Sequence, residues 1–243
     1  MRRLVVLGAT LALTLPASVS GATQLNVFAA ASLTNAFLKL GGASRYSFAG
    51  SDQLAVQIRQ GAPADVFASA SPKYTQLLYR DGLLSKPVVF ATNKLIVLVP
   101  RSNPAKIRSV YDLRRSGLKV VVGDSTVPIG IYTRQILDTL GITSDIAKNV
   151  VSQESDVKGI VSKVALGEAD AGFVYRTDAR AVAGHTRTIP LPAWAQPPIR
   201  YEIAVVKAST HATAARAFVR RVTSTRGRRL LARAGFGLTK KPR

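Results

Sequence analysis

Cysteine is absent from all 243 residues. Its absence excludes disulfides, thiolate metal sites, cysteine nucleophiles and a lipid-bearing cysteine at a lipoprotein cleavage site. Histidine occurs only at His185 and His211, far in sequence from any pair of carboxylates, so a histidine-based metal site is not expected. Acidic residues are scarce, 13 against 34 Lys and Arg, which leaves a formal net charge of +21. Long apolar runs are scarce too. Leu4–Leu15 falls short of the ~20 residues that a membrane-spanning helix needs, and no later segment reaches that length.

Hydrophobic residues still make up 47% of the chain and charged residues 19%, the balance of a globular rather than a disordered protein. The length suffices for one large domain or two modest ones. A field of this sign attracts anions and anionic surfaces over about 8 Å at physiological salt. It admits nucleic acid, anionic lipid or a small anion as partner, and equally a solvated, arginine-rich surface with no partner. Much of the excess lies near the C-terminus: Arg216, Arg220, Arg221, Arg226, Arg228, Arg229, Arg233, Lys240, Lys241 and Arg243. Only Phe218 and Phe236 are interleaved with that run, so the stacking platform of a single-strand nucleic-acid binder is missing.

The N-terminus reads as an export signal. Met1-Arg2-Arg3 forms a basic start, Leu4–Leu15 an apolar stretch, and Ser20-Gly21-Ala22 a small-residue cleavage site. Beyond it, short β-branched runs alternate with helix-period segments, the pattern of an α/β fold with largely parallel strands. Strands are expected at Leu25–Ala29, Tyr46–Ala49, Asp65–Ala68, Lys94–Val99, Lys119–Val122, Ala171–Tyr175 and Tyr201–Val206. Helices are expected at Leu33–Leu40 (stopped by Gly41-Gly42), Asp52–Gln60 (stopped by Gly61), Ser71-Pro72 through Tyr79, Ile129–Leu140 and Asp156–Leu166. Ser109 and Asp112 suggest a capping box. Thr210–Ala234 is helical with a break near Gly227.

Several strands end in small or hydroxyl residues just before a helix. Ala29-Ala30-Ala31-Ser32, Ala49-Gly50-Ser51, Val127-Pro128-Ile129-Gly130 and Glu154-Ser155-Asp156-Val157 are the four junctions. Helix starts present unpaired N–H groups and the positive end of the helix dipole. Several converging on one point make a cage of neutral donors suited to an oxyanion, with Ser32, Ser51 and Tyr175 hydroxyls adding to it. A donor-only pocket favours a fully ionised dianion over one that carries a proton. A lone serine at such a place is more often a helix cap; the repetition is what points to a ligand.

The segments VFAAASLTNAF (Val27–Phe37), SFAGSDQLAVQIRQGAPADVFASA (Ser47–Ala70), VVGDSTVPIGIY (Val121–Tyr132), ESDVKGIVSKVALGEADAGFVY (Glu154–Tyr175) and RTDA (Arg176–Ala179) resemble the molybdate-binding proteins of ABC transporters. The similarity runs in order to AGFGL (Ala234–Leu238). It implies a two-lobed type II periplasmic binding protein fold: α/β, with mixed, mainly parallel sheets flanked by helices and a hinge of two crossing strands near Ala91–Asn93 and Arg200–Glu202. Residues 1–22 would be the signal, 23–92 plus 202–243 one lobe, and 93–201 the other.

By that resemblance the anion is molybdate or its near-isostere tungstate. Its contacts would be the Ser32 and Ser51 hydroxyls, the N–H groups of Ile129 and Val157, and the Tyr175 hydroxyl; molybdenum enters only as the oxyanion. No cofactor, catalysis or nucleic acid is implied. The partners would be a membrane permease with a cytoplasmic ATPase, and the protein an exported, periplasmic or extracytoplasmic monomer without a lipid anchor. Three departures stand out. Ile129 replaces the usual alanine, Asp52 follows Ser51 where a small polar residue is common, and Leu38–Arg45 is short. A carboxylate at Asp52 is expected to turn outward, away from a dianion. Alternatives from the same residues are a binding protein for sulfate or phosphate, and an acylase using Ser155 and Lys158 as an S-x-x-K pair, though S-D-N and K-T-G are lacking.

Overall fold

The computed structural model describes residues 24–40 and 45–239. The expected leader, the Gly41-Gly42 stop and the basic residues Lys240, Lys241 and Arg243 lie outside the described residues. Strand β1 (Asn26–Ala30) passes through a 3-10 turn (Ala31–Leu33) into helix α1 (Thr34–Leu40). β2 (Arg45–Ala49) leads into α2 (Ser51–Arg59), and β3 (Val66–Ser69) into α3 (Pro72–Arg80). β1 pairs parallel with both β2 and β3, Ala30 opposite Ala49, so three strand ends feed three helices along one edge. The Ser71 side chain caps α3 by accepting from Lys73 N, with Pro72 in the first turn, where its missing N–H costs nothing.

β4 (Val88–Asn93) then runs antiparallel to β10 (Ile199–Val205), which itself pairs antiparallel with β3. With β11 (Gly237–Leu238) these strands form a six-stranded sheet in the order β11-β4-β10-β3-β1-β2. β5 (Leu95–Pro100) follows β4 after Lys94 alone, yet belongs to the second sheet. That sheet has the order β7-β6-β8-β5-β9, from β6 (Val120–Gly123), β7 (Val150–Glu154), β8 (Ala171–Tyr175) and β9 (Thr186–Pro190). The chain therefore changes sheets at Lys94 and again between Pro190 and Ile199, a few residues before the expected Arg200–Glu202.

Strands joined through helices run parallel: β6 pairs with β7, reached through α4 (Pro128–Leu140) and α5 (Thr143–Ala147), and on its other side with β8, reached from β7 through α6 (Val157–Ala165). The connecting strands β4, β5, β9 and β10 pair antiparallel, so each sheet is more evenly mixed than the sequence pattern led us to expect. α7 (Arg176–Ala181) starts directly at the end of β8. The C-terminal helices are α8 (Ala212–Thr223) and α9 (Thr225–Ala234). Their break falls at Ser224 and not at Gly227. Ser224 caps α9 by accepting from Gly227 N. Gly227 is retained within the turn because a Cβ there would lie 2.3 Å from the carbonyls of Arg221 and Val222.

The apolar core is continuous across both sheets. Val27, Val66, Phe37 and Phe90 fill it on one side, and Val97, Val120, Phe173 and Ile160 on the other. β5 is buried almost throughout, as its run of apolar residues with no alternation requires.

Candidate anion site at the meeting of the two sheets

The C-terminal ends of the parallel strands of both sheets face one another, the place where open α/β sheets hold ligands. A small cavity lies between them. All five residues singled out from the sequence line it: Ser32 and Ser51 from the first sheet, and Ile129, Val157 and Tyr175 from the second. No lysine, arginine or histidine is among the lining residues, so the attraction it offers an anion is that of dipoles.

Each donor is left available by a specific local device. In α4 the first position is Pro128, which has no N–H, so Ile129 carries the first amide of the helix. In α6 the Asp156 side chain accepts from Lys158 N at 2.6 Å and from Gly159 N at 3.4 Å. That capping leaves the Val157 N–H as the amide of the first turn that the cap does not take. Ser51, the first residue of α2, accepts from Ala70 N at 3.1 Å, which leaves its own hydroxyl hydrogen free to donate. Ser32 lies 2.9 Å from the Tyr201 hydroxyl, and Tyr201 in turn accepts from Asn93 Nδ2 at 3.4 Å. Where Tyr201 donates in this pair, the Ser32 hydrogen is free to donate into the cavity.

Tyr175 supplies the telling observation. It is 2% exposed, and its hydroxyl has no hydrogen-bond partner of acceptable geometry among the described residues. Burial pushes its ionisation well above the ordinary phenol range, and the neighbouring Tyr201, Tyr132 and Asp178 add to the effect, Tyr201 also through a loose hydrogen-bonding approach, so it remains an O–H donor. An unmade bond at a buried hydroxyl costs about 1–3 kcal/mol, and a ligand oxygen in the cavity would remove that cost.

The two sheets are drawn together around the cavity. A Cβ built on Gly50 would lie 2.6 Å from the backbone oxygen of Ser155 across the cleft. Asp52 turns away from the cavity and accepts from Thr126 Oγ1 at 2.9 Å, while Tyr74 donates to the Thr126 carbonyl. Burial, then the Asp52 and Asp124 carboxylates, push the Tyr74 phenol up to about 12, which keeps it protonated for that bond. On the far side, Gly130 follows Ile129 because a Cβ there would lie 1.8 Å from the Asp124 carbonyl. Ile129 itself is packed against Gly123, so its bulk is absorbed in the second sheet's core.

The bacterial extracellular solute-binding protein family matches residues 25–237. The chain belongs to that family. It is 43% identical over 226 residues to the molybdate-binding protein ModA of Mycobacterium tuberculosis, covering 89% of this chain and 85% of that one. Among solved structures, the periplasmic molybdate-binding protein of Azotobacter vinelandii superposes with a TM-score of 0.80 at 23% identity, covering 89% of this chain and all of that one. The sulfate-binding protein SubI of Mycobacterium tuberculosis superposes with a TM-score of 0.79 at 18% identity, over 90% of this chain and 88% of its own. These two share the fold, and at such identities they do not separate one oxyanion from another.

Within this solute-binding protein the residues that sequence reasoning missed are the supporting ones. Tyr201 and Asn93 orient Ser32, Ala70 orients Ser51, and Gly50 permits the close approach. Their roles depend on partners 19 to 169 residues away in the chain, and no local pattern marks them. The Ser155–Lys158 pair has a different use. Lys158 Nζ donates to Asp178 Oδ1 at 2.9 Å, so it is engaged as a cation and not poised as a base for Ser155. Burial raises the Asp178 carboxyl from its usual range, and Lys158 pulls against that rise.

Proposed function

We propose that this solute-binding protein captures molybdate, and tungstate with it, in the cleft between its sheets and hands it to an ABC permease driven by a cytoplasmic ATPase. It would act as a monomer outside the cytoplasm. The reading rests on the hydroxyl and amide donors of the lining, above all on the Tyr175 hydroxyl, together with the 43% identity to a molybdate-binding protein. A fully ionised tetrahedral dianion accepts from every side and donates nothing. Ser32, Ser51, the Ile129 and Val157 amides and Tyr175 are the contacts this reading assigns.

Residues 23–92 with 202–243, and 93–201, would move as two lobes about the sheet-changing segments. The first lobe holds the ligand through Ser32 and Ser51, and closure brings Ile129, Val157 and Tyr175 onto it. The Thr126 contacts with Asp52 and Tyr74 would then hold the closed form.

Asp156 favours a second reading. Asp156 is among the residues that line the cavity, and an acceptor there would suit an oxyanion that still carries a proton, such as hydrogen phosphate. Calorimetric titration with molybdate, tungstate, sulfate and phosphate tests both. Tight one-to-one binding of the first two alone supports the proposal. Binding of phosphate in their place transfers the site to the second reading, and no binding of any oxyanion removes both.

A further inference from the structure

The chain carries no acidic residue after Glu202. Within that stretch α8 and α9 fold as amphipathic helices. On α8, Arg216 and Arg220 are exposed one turn apart, opposite the buried Ala215, Phe218 and Val222. On α9, Arg226, Arg229 and Arg233 recur at three and four residues and are exposed, opposite Gly227 and Leu231. Arg233 then meets Lys39 of α1 and Arg180 of α7 around one groove with no carboxylate in its lining. Lys39, Arg180, Arg220, Arg226, Arg229 and Arg233 form no ion pair among the described residues, although charged pairs occur elsewhere on the surface. α1 bears no acidic residue, and the single carboxylate of α7, Asp178, is buried against Lys158.

We infer that this face, built from α1, α7, α8 and α9, is a docking surface for an anionic phospholipid bilayer. The charge is complementary, and a cluster of this size matches what polybasic adsorption to lipid requires. The aromatic residues of the stretch, Phe218 and Phe236, are buried, so a nucleic acid would find no base-stacking platform. Two leucines add an apolar element. Leu38 stands 58% exposed beside Lys39, and Leu238 stands 43% exposed just beyond α9. Cations for headgroups with a few apolar side chains for the acyl boundary is the composition of an interfacial surface. Such adsorption would concentrate the protein in the plane where a permease lies.

Co-sedimentation with vesicles tests this. The purified protein is expected to bind vesicles containing phosphatidylglycerol at least ~10-fold better than phosphatidylcholine vesicles at low salt, with the difference lost at high salt. The triple variant Arg220→Glu, Arg229→Glu, Arg233→Glu is expected to lose the binding. An equal reversal at the exposed Arg108, Arg134 and Arg187 of the second sheet's side is expected to leave most of it. Melting curves and molybdate titration on the same samples report folding and the anion site separately, so failure there is distinguishable from failure to adsorb. If the triple variant is misfolded, Arg→Gln at the same three positions replaces it. Equal loss from both sets of reversals, or binding to duplex DNA or an acidic polypeptide at salt where vesicles do not bind, overturns the inference.

Discussion

The cavity and the outer face of α8 and α9 both suit anions, and they do so by opposite means. Inside, the donors are amides and hydroxyls held by the fold, with no cationic side chain among the lining residues. Outside, the attraction comes from arginines on long, solvated side chains. Dipoles fixed in a dry, small volume discriminate by geometry and by whether the guest carries a proton, because each mismatched group is left unpaired. Mobile cations in water discriminate little but act over a Debye length. The difference assigns selectivity to the interior and capture to the exterior, and each assignment can be broken separately.

The largest effect is expected at Gly50, which lies against the Ser155 carbonyl across the cleft. Gly50→Val would set a side chain against the Ser155 carbonyl, a backbone atom that cannot swing aside. Affinity for the oxyanion should fall by about 100-fold, or ~2.7 kcal/mol, with folding intact by thermal melting. Unchanged affinity in calorimetry would mean that closure at this point does not govern binding.

Ser51→Ala should follow, with affinity weakened by about 1–3 kcal/mol through a lost hydrogen bond to a charged ligand. The ligand-free protein should also lose about 1 kcal/mol, since Ala70 N is buried against Ser51 Oγ and would be left without its acceptor. Tyr175→Phe makes the opposite pair of changes. Its hydroxyl makes no hydrogen bond of good geometry among the described residues, so removing it should stabilise the ligand-free protein by up to about 1 kcal/mol. Oxyanion affinity should drop by a similar amount. Parallel melting and titration of the two variants would show the opposite signs, and a Tyr175→Phe protein that lost stability without ligand would contradict the reading of that hydroxyl as a donor held in reserve.

Much of this was legible in the sequence for physical reasons, and the rest was not for equally physical ones. The four strand–helix junctions stand out because caps, prolines and small residues are local signals. Ser71-Pro72 and Asp156 act as the helix starts they suggest. β4, β7 and β9 were not foreseen as strands: at the sheet edges β7 alternates half-buried and exposed residues and β9 is mostly exposed, and β4 carries Thr92 and Asn93 where it leaves one sheet for the other. Gly227 suggested a break that Ser224 makes, because a glycine tolerated for close packing and a glycine that ends a helix look alike in one dimension. Asp52 was expected to face outward, and it does leave the cavity. That it would reach Thr126, 74 residues on, is information carried only by the folded chain.

The smallest expected effect concerns the division between capture and holding. At about 0.01 M salt the Debye length is ~30 Å, and at 0.15 M it is about 8 Å, so the field of a +21 chain reaches an incoming dianion from much farther in the first case. Association rates measured by stopped flow should therefore fall a few-fold across that range. Dissociation should stay constant, because the contacts assigned by the proposed function are buried amides and hydroxyls that salt does not screen. The arginine reversals on α8 and α9 should act as added salt does, slowing association alone. A dissociation rate that rose with salt or with those reversals would place part of the holding energy outside the cavity, and the contrast between a neutral interior and a charged exterior would no longer describe how the anion is bound.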